Sequence, residues 1–303
     1  MTQTHENTQG LQALSQQMAD AVERAQSSLV LVDGRSRQPA SGIIYAPDLI
    51  LTASHVLERS EKVQIHTADK QTYAAQIVGR DRTSDLAVLR VPGLVQTPAT
   101  PAPEAARVGQ LVLAIGASTD GPMASIGIVS SAGGPLRTEQ GVALERFIRT
   151  DAIPYPGFSG GPLIDTQGQV LGLLTTGIVN GIPFVIPIDL ATSLAETLAT
   201  QGTVKRGYLG IASQLVQLPE QQRGESQRKH GLLLVKVDDP SPAHTGGLFL
   251  GDILVALDGH AVTDSEDLQL LLTGERVGKA VPVEIIRGGT VHTLQVTIGQ
   301  RPA

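Results

Sequence analysis

No cysteine occurs among the 303 residues. Disulfides, thiolate nucleophiles and cysteine-held metal sites are therefore excluded, and the chain suits any redox compartment. Tryptophan is missing too, and aromatics amount to 3%, so a core must be built from Val, Leu, Ile and Ala. There is no basic run, and the formal net charge is −6; the electrostatic footprint of a nucleic-acid binder is lacking. No run of about 18 apolar residues exists, so no helical membrane span is expected. Residues 1–10 are polar and hold no apolar segment of the secretory-signal kind. The expectation is a cytoplasmic protein, with an extracytoplasmic place left open if the N-terminus has been trimmed.

What is present is globular. Apolar residues make up 41% and charged ones 17%, far from a disordered composition, and the length suits about two domains. The 33 glycines and 18 prolines are spread along the chain, punctuating short apolar runs. Six such runs lie between Ser28 and Val91 and six more between Val108 and Ile186, separated by the Pro- and Thr-rich stretch 92–103. Strands at this spacing without long helices between them predict an antiparallel sandwich or barrel, here two barrels meeting near 92–103. Residues 1–9 read as a loose tail. Leu11, Leu14, Met18, Ala21, Val22 and Ala25 have helical period. Leu190, Leu194 and Leu198 mark a second helix that Gly202 ends.

Candidate chemistry centres on Gly157-Phe158-Ser159-Gly160-Gly161-Pro162. Glycines let backbone approach a ligand, so the amides of Gly157 and Ser159 can converge beside the serine oxygen as an oxyanion hole. Thr52-Ala53-Ser54-His55 sets a histidine just after an apolar strand, and Asp85 precedes Leu86-Ala87-Val88-Leu89. Taken singly, these are an ordinary turn serine, a core histidine and a strand-start aspartate making a local turn bond. Together they stand in the order His, Asp, Ser, that of the chymotrypsin-type triad. The order also argues against an esterase of the α/β kind, which runs Ser, Asp, His.

Thr-Ala-Ser-His, Ser-Asp-Leu-Ala-Val-Leu and Gly-Phe-Ser-Gly-Gly-Pro-Leu resemble the three signature blocks of the HtrA (Deg) serine proteases, and the likeness covers roughly 25–300. It implies a mostly β protein, a chymotrypsin-like double β-barrel followed by an α+β PDZ domain. The segments expected are a tail and helix over 1–26, a protease domain over 27–200, a linker over 201–206 and the PDZ domain over 207–303. The resemblance also implies that Ser159 is the nucleophile, His55 the base and Asp85 its orienter, with no cofactor and no metal. One residue departs from the family pattern: Phe158 stands where the family usually has Asn, so its ring must be buried or covered. Pro154 and Pro156 stiffen the segment before it, which the family uses to order or disorder the oxyanion hole. In trypsin-type pockets an acid six residues before the nucleophile selects basic substrates; that position is Ile153. With Thr176, Gly177 and Ile178 as the opposite wall, an apolar S1 pocket is expected. The short stretch 33–39 argues against the large cages some family members build and for a homotrimer. The loop 131–140 corresponds to the family's sensor loop.

Arg206-Gly207-Tyr208-Leu209-Gly210-Ile211 looks like the carboxylate-binding loop of an HtrA-type PDZ domain, in which successive amides converge on a chain terminus. Leu268 and Leu272 are expected to wall the groove, and residues 218–230 form a polar insertion. The implied activity is an endopeptidase acting on unfolded or misfolded proteins, with C-terminal or apolar peptides at the PDZ groove. The alternative is a catalytically silent holdase or peptide scaffold, a reading that Phe158 alone favours.

Overall fold

The computed structural model describes residues 2–36, 38–58, 63–138, 141–179, 181–204, 207–223, 228–272 and 276–300. It divides into two compact units, 1–204 and 205–303.

The first unit opens with α1 (Thr2–Gln26), which starts well before the expected Leu11. Its apolar residues dock only at the C-terminal end, where Ala21 and Ala25 are buried while Leu11 and Leu14 are exposed. The polar first turns extend that docked part, because adding a residue to a formed helix is far easier than starting one. Six strands then close a barrel: β1 (Leu29–Asp33), β2 (Ala40–Ala46), β3 (Leu49–Ala53), β4 (Val63–Thr67), β5 (Thr72–Asp81) and β6 (Leu86–Arg90), in the order β1-β2-β3-β6-β5-β4. A second barrel follows from β7 (Leu111–Ser118), β8 (Gly121–Gly133), β11 (Phe147–Thr150), β12 (Pro162–Ile164), β13 (Val170–Val179) and β14 (Ile182–Pro187), in the order β11-β14-β13-β12-β7-β8. The expected loop 131–140 contains structure of its own: β8 runs to Gly133, and β9 (Leu136–Thr138) pairs with β10 (Gly141–Leu144). Residues 139 and 140 lie outside the described residues.

Helix α2 (Ile188–Gln201) closes the unit, and Gly202 ends it in the left-handed conformation, its N–H bonded to Leu198 O. Gly79 on β5 carries the helix closely: a Cβ there would lie 2.4 Å from the Leu198 carbonyl. One buried cluster joins both barrels and both helices, running from Ala21 and Ala25 through Leu51, Leu86 and Ile115 to Ala191 and Leu198. Of the linker expected over 201–206, residues 205 and 206 lie outside the described residues, as does Arg206 of the expected carboxylate loop.

In the second unit β15 (Gly207–Tyr208) pairs with β22 (Gly299–Gln300). The main sheet runs β16 (Ile211–Gln217), β17 (His230–Val237), β18 (Ile253–Leu257), β20 (Ala280–Arg287), β21 (Thr290–Thr297), with β19 (His260–Ala261) beside β18. Helices α3 (Pro242–Thr245) and α4 (Ser265–Leu271) complete the unit. The polar insertion is pinched at its base, where Leu218 N donates to Lys229 O at 2.8 Å; its residues 224–227 lie outside the described residues.

Candidate active site

Strand register brings the first two residues together. In the β3–β6 ladder Ala53 faces Leu86, so the residues just past one strand and just before the other are neighbours. A single 3-10 turn, Ser54–Val56, lifts His55 off the end of β3. Ser54 N donates to Asp85 O at 2.9 Å, and His55 N donates to Asp85 Oδ1 at 2.8 Å. Asp85 itself has φ of 56°, a left-handed conformation that aspartate tolerates better than most residues. The result is an imidazole whose Nδ1 lies 2.6 Å from Asp85 Oδ2. The carboxylate is buried and the imidazole 30% exposed.

A buried carboxylate needs its lone pairs met. The third donor is the Thr175 hydroxyl on β13 of the second barrel, which bonds Asp85 Oδ2 and accepts the Gly177 N–H at 3.0 Å. The sequence reading missed Thr175, because a hydroxyl in the run 170–176 looks like strand filler and its partner is 90 residues away.

Ser159 arrives from the β11–β12 connection. Its carbonyl accepts the Ser41 N–H at 3.0 Å, which fastens the turn to β2. Gly160 could carry no side chain here: a Cβ would sit 2.1 Å from Ser41 O. The Ser159 hydroxyl is hydrogen-bonded to Thr176 Oγ1 at 3.3 Å. Adjacent residues of β13 thus bond the carboxylate and the serine. Around Ser159 the amides of Phe158, Gly160 and Gly161 bond to Tyr155, Leu174 and Phe158 carbonyls. Among the described residues no hydrogen bond takes up the amides of Gly157 or Ser159. Two free donors alternate with three engaged ones, which is what an anion site needs.

Phe158 is wholly buried. Its ring fills the space left by Gly116, where a Cβ would lie 2.3 Å from Phe158 Cδ1, and Tyr155 packs edge-on at 5.5 Å between centroids. The departure from Asn is thus an apolar plug in the second barrel, and it leaves the turn intact. That removes the only support for a silent scaffold.

The four residues expected to wall S1 do not share one environment. Ile153 is 58% exposed, with its carbonyl bonded by Ser125 Oγ at 2.6 Å. Thr176 faces Ser159. Gly177 borders the His55–Asp85 pair instead: a Cβ there would lie 2.5 Å from both Asp85 Oδ2 and His55 Nδ1. Ile178 packs beside the large core cluster.

In the second unit the expected carboxylate loop is held by its carbonyls. Leu209 O accepts the Ala243 N–H and Gly210 O the Asp238 N–H, each at 2.8 Å, while no hydrogen bond among the described residues takes up the Leu209 or Gly210 amide. Gly210 has φ of +78°. The Tyr208 hydroxyl donates to Asp238 Oδ2 at 3.1 Å, and Lys236 Nζ lies 2.7 Å from Asp238 Oδ1. The Lys236 and Tyr208 hydrogen bonds hold the Asp238 carboxyl below its ordinary range. Ile211 begins β16, an end strand of the sheet with one edge unpaired among the described residues. Leu268 is not a free wall: it belongs to the same buried cluster as Leu209, because α4 turns that residue inward. Leu272 is half-buried and its carbonyl accepts the Gly207 N–H at 2.5 Å.

Known proteins resemble both units of the chain. A trypsin-like peptidase domain profile matches residues 40–173 and a PDZ domain profile residues 207–298. A probable periplasmic serine endoprotease DegP-like of Ectopseudomonas mendocina is 33% identical over 280 residues, covering 89% of this chain and 58% of its own length. A similarly named protein of Pseudomonas savastanoi is 35% identical over 271 residues, covering 86% of this chain and 56% of its own. The chain thus spans little more than half the length of these relatives. A putative serine protease HhoA of Synechocystis is 32% identical, with 87% of this chain and 71% of that protein covered. The crystal structure of a serine endoprotease from Yersinia pestis superposes with a TM-score of 0.77 at 29% identity, over 94% of this chain and 98% of that one. The HtrA-type protease AlgW with a decapeptide gives 0.77 at 27% identity, over 94% and 99%. The cytoplasmic expectation is corrected here: relatives named periplasmic point to an extracytoplasmic location. That expectation rested on the polar first residues and the lack of a long apolar run, and a chain without cysteine offers no redox signal to set against them.

Proposed function

Because the chain belongs to the HtrA family of DegP-like serine endoproteases, with a trypsin-like peptidase domain and a PDZ domain, we propose that it is a serine endopeptidase acting on unfolded polypeptides. The observation that carries this is the Asp85 carboxylate, bonded at once by the imidazole and main chain of His55 and by Thr175, together with a serine whose own amide and that of Gly157 are left unengaged among the described residues. Ser159 Oγ attacks the scissile carbonyl carbon as His55 Nε2 takes its proton. Asp85 holds the Nδ1–H tautomer and stabilises the imidazolium. The carbonyl oxygen becomes an oxyanion between the Gly157 and Ser159 amides; one such donor is typically worth about 3 kcal/mol of transition-state stabilisation. The tetrahedral intermediate collapses, the amine leaves with the proton from His55, and water repeats the sequence on the acyl-enzyme. In the resting site the Ser159 hydroxyl shares a hydrogen bond with Thr176 Oγ1, and the bond to the imidazole forms in the substrate complex, as is common for unliganded enzymes.

The PDZ domain supplies peptide recognition, with the free amides of Leu209 and Gly210 taking a terminal carboxylate and the peptide adding a strand beside β16. A domain division at 26, 200 and 206 and a homotrimer complete the reading. Labelling by a fluorophosphonate probe, lost in Ser159→Ala, together with cleavage of unfolded casein, tests it. A folded wild type that neither labels nor cleaves refutes the enzyme, and a monomer by sedimentation refutes the trimer.

A further inference from the structure

The peptide unit joining Pro156 to Gly157 decides whether the oxyanion site is open. Its N–H is one of the two donors, and its carbonyl sits at the other end of the same plane. In a trans peptide the two point in opposite directions. Gly157 has φ of +98° and no Cβ to resist rotation. Half a turn of this unit would replace a donor by a carbonyl oxygen, which repels an oxyanion. Something must hold it.

Gln38 Nε2 donates to Pro156 O at 3.1 Å. A carbonyl can only accept, so the side-chain amide must present its nitrogen. The next carbonyl is held as well: Ser41 Oγ donates to Gly157 O at 2.7 Å and accepts the Ala117 N–H at 2.8 Å. Gln38 is itself fixed, its backbone carbonyl bonded by Arg35 Nε. The site of a Gly157 Cβ lies 3.4 Å from Pro39 O and 3.6 Å from Gln38 Nε2, so the strand entering β2 lies directly against the loop.

We propose that Gln38 is a positioning residue for the oxyanion site, its side-chain amide holding the Pro156 carbonyl on the β2 side so that the Gly157 N–H stays turned to the reacting carbonyl. Ser41, buried, holds the Gly157 carbonyl, and Gln38, exposed, is the latch on the Pro156 carbonyl. The inference rests on the endopeptidase reading for its consequence in catalysis, while the latch itself is a property of the resting loop.

The test is the full chain with Gln38→Met, which keeps length and removes the donor, and Gln38→Glu, which sets a carboxylate against the carbonyl. With a chromogenic peptide ester, kcat falls about three- to tenfold in Gln38→Met, the weight of one hydrogen bond, and further in Gln38→Glu. KM and Tm stay at the wild-type values, a split that general loosening would not give. A kcat within about twofold of wild type in both variants overturns the proposal, that being the low end of one hydrogen bond's worth. Should the wild type fail to label with fluorophosphonate, the endopeptidase reading falls, and the latch is then judged on the Gly157 amide of [15N]glycine-labelled protein. A sharp wild-type resonance that doubles or broadens in Gln38→Met supports it; identical spectra overturn it.

Discussion

Asp85 is the residue on which most of the site converges, and Thr175 is the donor it can least easily replace from solvent. Thr175 is buried, so its loss leaves a carboxylate oxygen short of a partner. Thr175→Val should lower kcat/KM about tenfold, the scale of a hydrogen bond to a charge, and Thr175→Ser should restore it; steady-state kinetics on a peptide ester checks both. Phe158 makes a different prediction. Its ring fills the volume at Gly116, so Phe158→Ala should cost about 3–5 kcal/mol of stability, as large core truncations do, measured by urea unfolding. At this scale the sequence was readable where a residue announces its own chemistry. His55, Asp85 and Ser159 stand in blocks with a recognisable order. Thr175, Gly116 and Gln38 do not, because each acquires its meaning from a partner distant in the chain.

Among the elements, the β3–β6 ladder does what no motif states: its register sets His55 beside Asp85 before either side chain is placed. Strand number and position were largely legible from turn punctuation. The start of α1 was not, since nothing in the polar residues before Leu11 has the periodicity that marks a docked face. The loop before β16 carries a pH prediction. Its Tyr208 is tied to Asp238, whose carboxyl is held low first by Lys236 and then by Tyr208. A carboxyl with a lowered folded-state pKa keeps its bond above the ordinary carboxylate range and loses it as pH falls through the lowered value. Lys236→Ala should therefore move the Asp238 midpoint up toward the ordinary range, and peptide binding should weaken at a higher pH than in the wild type. Carbon-detected NMR titration and fluorescence anisotropy with a labelled peptide read the two effects.

On the scale of the whole molecule, one buried cluster spans both barrels and both flanking helices, whereas the second unit has a core of its own. The two barrels should unfold as one body and the second unit separately, giving two calorimetric transitions. A chain ending at Val204 should keep the first transition and fluorophosphonate labelling while losing affinity for carboxyl-terminal peptides. Asp85 grows from the first barrel and Thr175 from the second, so the hydroxyl–carboxylate bond is a seam across the domain. A copy whose halves have drifted apart forfeits its seam, and with it the poise of the imidazole. On the endopeptidase reading, loss of the seam would therefore lower cutting and not release it.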